Sequence, residues 1–301
     1  MILNPQSSNE NKLPEIETKM SLVRVDRLAT LYFFYPLLRI VRQTRERRIP
    51  ILMYHSISEN ADKKSHPYFE TTTTPEVFAA HMKYLHDYKY SVINLQDVLN
   101  YLENKRNISD KPVVITFDDG FRDFCSNAFP VLQKYGFSST VFLPTGFIGK
   151  EPLEFKGKKC LLWEEVRDLR KKGIIFGSHT VNHPKLNMLK SDELEFQLKR
   201  SKEQIEDEIG EPVESFSYPF AFPQGDKEFI GNLTGMLERY GYKYGVSTRI
   251  GTSGRNDDFL FLKRIPVNAL DDPPFFNAKL IGAYNWMKVP QLVFNSYKSK
   301  S

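Results

Sequence analysis

Cysteine is close to absent from this 301-residue chain. Cys125 and Cys160 are the only two, too few for a disulfide framework, and they read as ordinary buried thiols. No apolar run approaches the roughly 20 residues that a membrane-spanning helix needs. The run LATLYFFYPLL, Leu28 to Leu38, stops at eleven residues and is broken by Pro36. It carries no small-residue cleavage pattern and follows a polar, mixed-charge stretch, so no signal peptide is read. The expected location is the cytoplasm or the cytoplasmic face of the membrane. Internal repeats and low-complexity tracts are missing too. So is a charge excess in the body: of the net charge of +5, residues 21–50 supply a surplus of five, and residues 51–301 supply only one. Nucleic-acid binding by the main body therefore has no electrostatic basis. With 41% hydrophobic residues and a mean hydropathy of −0.44, the chain is a soluble globular protein.

The basic segment holds seven arginines, at 24, 27, 39, 42, 45, 47 and 48, against Asp26 and Glu46. An aromatic run flanked by arginines suits a helix lying on an anionic membrane surface. It equally suits a helix packed on the domain with its arginines in water.

From residue 50 onward short apolar runs alternate with segments of helical spacing. The runs are ILMYHSI (51–57), VVITFDD (113–119), STVFLPT (139–145), GIIFGSH (173–179), ESFSYPF (214–220), YKYGVST (242–248) and FLFLKRIPV (259–267). Between them, TPEVFAAHMKYLHDY starts with Thr74 as a helix cap and Pro75 at the first helical position. SDELEFQLKRSKEQIEDEIG starts at Ser191 and stops at Gly210. Apolar strands alternating with amphipathic helices predict an α/β fold with a parallel sheet, either open or closed into a barrel.

In such folds chemistry gathers at the carboxyl ends of the strands. Those ends carry His55, the pair Asp118 and Asp119, His179 with His183 four residues later, Tyr218-Pro219-Phe220, and Arg264. Two adjacent buried carboxylates repel each other, so a cation or a chemical task is expected beside them. The spacing H-x-x-x-H sets two imidazoles on one face if the segment is a helical turn. With a carboxylate from another strand end they form a two-His, one-carboxylate ligand set. That set suits Zn²⁺ or another first-row transition metal better than Mg²⁺, which prefers oxygen shells. His66, His81 and His86 show no such arrangement and are read as structural.

FDDG, then SHTVNHPKL, then FSYPF, in this order and spacing, resembles the polysaccharide deacetylase family (carbohydrate esterase family 4, the chitooligosaccharide-deacetylase or NodB homology domain). The resemblance covers roughly residues 50–267. The opening ILMYHSI and the later SYP and RIPV are similar to the branch acting on poly-N-acetylglucosamine and related exopolysaccharides. It implies a distorted (β/α)7 barrel, with a tail and basic segment over 1–48, the deacetylase domain over 49–283 and a C-terminal tail over 284–301. It also implies a hydrolase that removes N-acetyl groups from amino sugars of a polysaccharide or a lipid-linked precursor. Asp119, His179 and His183 would bind the metal, Zn²⁺ foremost, with Co²⁺, Ni²⁺ or Mn²⁺ as alternatives. Asp118 would be the general base beside a metal-activated water, and the Phe220 N–H, after Pro219, would meet the oxyanion. Tyr218 and Pro219 are the expected substrate contacts.

Two positions depart from the family pattern. Where many members carry Arg-x-Pro-Tyr, this chain reads Ser217-Tyr218-Pro219-Phe220. Where many carry Leu-x-His, it reads Leu262-Lys263-Arg264. Arg264 is therefore expected to pair with Asp118, and His55 becomes the candidate general acid or substrate-positioning group. A non-catalytic glycan-binding relative, a Mg²⁺-dependent phosphoryl-transfer enzyme and a formylated substrate remain the competing expectations. Peripheral membrane contact through residues 22–48 is a further one, and oligomeric state is left open.

Overall fold

Each of the seven β-branched and aromatic runs forms a strand: β1 (Ile51–Tyr54), β2 (Pro112–Phe117), β3 (Thr140–Leu143), β4 (Ile175–Ser178), β5 (Ser215–Ser217), β6 (Tyr244–Ile250) and β7 (Leu262–Pro266). The structure is a computed structural model describing residues 24–41, 47–59, 70–103, 105 and 107–298. The N-terminal tail, residues 42–46 and His66 lie outside the described residues. Every strand pairs in parallel with its sequence neighbour, and β1 closes the ring against β7 with Leu52 opposite Ile265. The fold is thus a closed seven-stranded (β/α) barrel, and it is distorted. β5 meets β4 at one residue pair, Phe216 and Ser178, and the register of β6 on β7 shifts between Val246 and Ile250.

Alternation along the strands sorts the side chains. Val113, Ile115 and Phe117 face the covering helices, in a cluster where Phe117 stacks on Tyr54 at 5.4 Å and meets Phe124 edge-on at 4.8 Å. Val114 faces inward with Phe142, Val246 and Leu262, and the helix Leu95–Leu102 joins this inner cluster at the amino ends of the strands. Burying a side chain such as Phe142 contributes about 1.5–3 kcal/mol. It fits because residue 177 is glycine: a Cβ there would stand 2.6 Å from the Phe142 ring and 2.4 Å from Ser215 Oγ. The inward series 114, 116, 118 on β2 and 262, 264 on β7 then brings Asp118 and Arg264 into the same interior.

The helix starts are partly as expected. Val77 N–H donates to Thr74 Oγ1 at 3.3 Å, with Pro75 in the first turn, and Gly210 ends its helix in the left-handed conformation. The cap of that second helix is Lys190, one residue before Ser191; its N–H donates to Glu193. The stretch expected as a C-terminal tail instead carries a helix, Lys288–Lys298. Its Gln291 side chain accepts from Ile250 N–H and donates to the Thr248 carbonyl, binding it to β6.

Residues 24–41 form a helical segment packed on the barrel flank. Arg27 pairs with Asp272, the Trp286 indole donates to Thr30 Oγ1 at 3.0 Å, and Phe34 stacks on Trp286 at 5.0 Å. Its outer face exposes Tyr32, Phe33, Leu37 and Ile40. No described helix is long and apolar enough to cross a membrane.

Candidate active site

The FDDG segment leaves β2 through a turn that separates its two carboxylates. Asp118 still follows the strand, its N–H bonded to the Tyr54 carbonyl at 3.0 Å, and its side chain points into the barrel. Asp119 adopts φ +69° and Gly120 φ +58°, which turns the second carboxylate away from the first. Both side chains are buried.

Asp118 meets a guanidinium fork. Arg264 Nη1 donates to Oδ1 at 2.8 Å and Nη2 to Oδ2 at 2.6 Å. The same arginine donates to the Ser247 carbonyl, Thr116 Oγ1 and Ser217 Oγ, and is wholly buried. Burial alone would raise the Asp118 carboxyl, but Arg264 outweighs it and holds it well below the usual carboxylate range. Ser217, where the family resemblance led to an expected arginine, touches both partners. Here the guanidinium reaches the carboxylate from β7, not from β5.

The two histidines converge without a helix. Residues 179–183 are irregular, with Thr180 at φ +69° and His183 at φ +52°. The loop is held from outside: Gln197 Oε1 accepts from Val181 and Asn182 N–H at 2.9 Å each, and Thr180 Oγ1 accepts from His183 N–H. The helical-turn explanation of the H-x-x-x-H spacing is therefore corrected; two left-handed residues and a glutamine bring the rings together, with centroids 4.7 Å apart. His179 Nδ1 faces the Ser217 carbonyl at 2.8 Å. A carbonyl accepts only, so Nδ1 carries the proton and Nε2 presents a lone pair. Burial lowers both imidazoles, His183 to about 3, so both are neutral.

Asp119 Oδ1 lies 3.7 Å from His179 Nε2 and 3.4 Å from His183 Nε2, and is buried with no hydrogen-bond partner among the described residues. A buried carboxylate oxygen facing neutral imidazole nitrogens is costly unless a cation sits among them. The ligand atoms of Asp119, His179 and His183 all lie within 4.8 Å of one another, the spread that one ion requires. Chemically and geometrically, these residues fit a divalent transition metal.

The other expected residues fall around this centre unevenly. His55 follows β1, with Nε2 4.0 Å from Asp118 Oδ2. Phe220 adopts φ +57°, and its half-exposed ring stands edge-on to His183 at 4.6 Å. Tyr218, by contrast, is 1% exposed, its ring edge-on to Phe222. Pro219 is buried as well. The Tyr218 side chain is core and offers a substrate no face. His81 bridges the Tyr54 hydroxyl and the Asp271 carbonyl inside the fold, and His86 is exposed on a helix. Cys125 and Cys160 are free thiols. Sequence reasoning missed Thr116, Ser247 and Lys156, which contact the site residues, and Gln197, which holds the loop between the two histidines. The alternation of β2 pointed to Thr116, two positions from Asp118; nothing local marked the others.

A closed parallel barrel with its polar side chains gathered at the carboxyl ends of the strands belongs to the (β/α)-barrel enzymes. Comparison with known proteins narrows the class. Residues 105–244 match the polysaccharide deacetylase family. YxkH of Bacillus subtilis (strain 168), which carries that family's name, is 30% identical over 244 residues, 81% of this chain and 78% of YxkH. The poly-beta-1,6-N-acetyl-D-glucosamine N-deacetylase of Staphylococcus aureus (strain MSSA476) is 24% identical over 200 residues, 64% of this chain and 66% of that protein. Among solved structures, the Streptococcus pyogenes deacetylase PplD in complex with acetate aligns with a TM-score of 0.68 at 25% identity, covering 78% of this chain and 99% of PplD. This chain belongs to the polysaccharide deacetylase family, carbohydrate esterase family 4.

Proposed function

We propose that the protein is a metal-dependent deacetylase that removes N-acetyl groups from amino sugars of a polysaccharide or of a lipid-linked glycan precursor. One observation carries this: Asp119 Oδ1, without a hydrogen-bond partner among the described residues, faces His179 and His183 while Asp118, one residue away, is held ionised by Arg264. Asp119, His179 and His183 would hold the metal, Zn²⁺ by the mixed nitrogen and oxygen donors, with Co²⁺, Ni²⁺ or Mn²⁺ as substitutes. Bound there, it would supply Lewis acidity to the acetamide carbonyl and to a water. Asp118 then takes the water's proton. The arginine fork costs it basicity but keeps it ionised and fixes its direction. Burial lowers His55, so it starts neutral. At 4.0 Å from Asp118 it is placed to receive the proton and pass it to the departing nitrogen. The C–N bond breaks, giving acetate and a free amine. The Phe220 N–H meets the developing oxyanion.

The catalytic unit in this proposal spans 49–283. Peripheral membrane contact through residues 22–48 belongs to it as the route to a lipid-linked substrate, supported by the exposed Tyr32, Phe33, Leu37 and Ile40. Arg24, Arg27, Arg47 and Arg48 weigh less in that contact, because they pair with Asp26, Asp272, Asp110 and Asp257. The deciding experiment is acetate release from N-acetylglucosamine oligomers by metal-stripped protein and after restoring Zn²⁺, Co²⁺ or Mg²⁺. Release that needs a transition metal and vanishes in Asp118→Asn supports the proposal. Tight glycan binding without acetate release would replace it with a non-catalytic binder, and phosphate release with Mg²⁺ alone with a phosphoryl-transfer enzyme.

A further inference from the structure

Lys156 touches the metal-site carboxylate yet has no part in the chemistry above. It stands at the tip of a hairpin whose strands are Glu154–Phe155 and Lys158–Lys159. Lys156 and Gly157 have φ of +52° and +73°, the two-residue turn that matches the twist of paired strands. The hairpin is fixed on both sides. Phe155 packs on Phe147 at 4.4 Å and on the His183 ring at 5.1 Å, and Lys158 Nζ donates to Thr72 Oγ1 at 2.9 Å. From this tip the Lys156 ammonium crosses its own Phe155 ring, 4.6 Å from the centroid, and donates to Asp119 Oδ2 at 3.0 Å. The two oxygens of Asp119 are thereby divided: Oδ2 faces an ammonium, and Oδ1 faces the histidines.

We propose that Lys156 is a built-in competitor for the cation at Asp119, weakening metal binding so that the ion can exchange. This presupposes the metal site of the preceding section. Two effects of the lysine oppose each other. Pinning the carboxylate would strengthen binding, but Asp119 is already fixed by its buried turn, where the Gly120 carbonyl accepts from Leu161 N–H at 2.9 Å. Charge acts the other way: a monovalent and a divalent cation sharing one carboxylate repel, and without the lysine the buried carboxylate depends on the metal alone for neutralisation. Charge prevails. Because the lysine side chain is 45% exposed, solvent screens the effect and holds it to about one decade of affinity or less.

The test is the Zn²⁺ dissociation constant of the full chain, by competition with a chromophoric chelator at fixed pH. It is measured for wild type, Lys156→Met, Lys156→Gly, Lys156→Arg and Lys158→Met. Lys156→Gly suits the left-handed backbone and guards against misfolding in the methionine variant. Both neutral variants should bind Zn²⁺ about three- to tenfold more tightly. Lys156→Arg should match wild type, and Lys158→Met, on the same hairpin but away from Asp119, should not change. Metal-stripped Lys156→Met should melt below wild type while the loaded forms melt alike. Unchanged or weaker affinity in Lys156→Met and Lys156→Gly overturns the competitor. If wild type does not bind Zn²⁺, or Asp119→Asn binds it equally well, the metal site itself falls and the competitor with it.

Discussion

Replacing Arg264 by lysine keeps the charge and removes the fork. The guanidinium spans both oxygens of Asp118, at 2.8 and 2.6 Å, and also reaches Ser247, Thr116 and Ser217. A lysine ammonium is a point donor and reaches one carboxylate oxygen at a time. Losing one of two charge-assisted bonds costs about 1.5–3 kcal/mol. If Asp118 must hold its direction in the transition state, kcat/KM should fall roughly 10- to 100-fold. The pH dependence should move as well. Arg264 holds Asp118 below its unfolded value, so the pair's contribution to stability is present above that value and is lost as pH falls through the folded one. In Arg264→Lys the folded value climbs by about one unit per 1.36 kcal/mol. Both the acid limb of activity and the acid loss of stability therefore shift to higher pH. Acetate release and thermal melting across the acid range measure the two shifts together. An unchanged turnover with an unchanged acid limb would refute the pairing role.

Asp119→Asn should abolish the Zn²⁺-induced rise in melting temperature and lower acetate release by more than the roughly 10- to 100-fold that loss of a mere outer-shell partner costs. His55→Ala should slow an acetamide far more than an activated acetate ester, whose leaving group needs little protonation; equal losses would count against proton delivery by His55. Lys279 is buried and donates to Asp271 and to the Pro266 carbonyl, each at 2.7 Å. Lys279→Met should cost about 3–5 kcal/mol by leaving a buried carboxylate short of a partner, read as a lower denaturant midpoint. In liposome flotation on anionic vesicles, Tyr32→Ser with Phe33→Ser should reduce binding with acetate release unchanged. Equal partitioning would remove the membrane contact.

The barrel was legible because its strands are short β-branched and aromatic runs separated by segments of helical spacing, and all seven occur where those runs fall. Thr74 with Pro75 and the stop at Gly210 were legible for the same local reason. The convergence of Asp118, Asp119, His179 and His183 followed from one rule, that strand ends in a parallel barrel share a mouth. What the sequence withheld depends on contacts distant along the chain. Gln197 shapes the histidine loop from a helix 14 residues beyond His183. The cation on Asp119 comes from a six-residue hairpin too polar to announce itself as structure, whereas the pairing of Arg264 with Asp118 was expected from the departure at Leu262-Lys263-Arg264. Tyr218 misled in the opposite way, since its place in a motif says nothing about which way its ring turns.

Among the described residues, six other than glycine hold a left-handed backbone, and five of them, Asp119, Lys156, Thr180, His183 and Phe220, stand at this one mouth. Each such conformation costs of order 1–3 kcal/mol, so the rest of the fold sustains the geometry against the local preference of its own chain. Folding and function therefore draw on the same positions with opposite signs. A screen that rewarded thermal stability alone would favour glycine or asparagine there and return a sturdier barrel without its chemistry. A lineage released from the need to act on its substrate would drift the same way, and its loss of activity would begin at the mouth long before the barrel weakened.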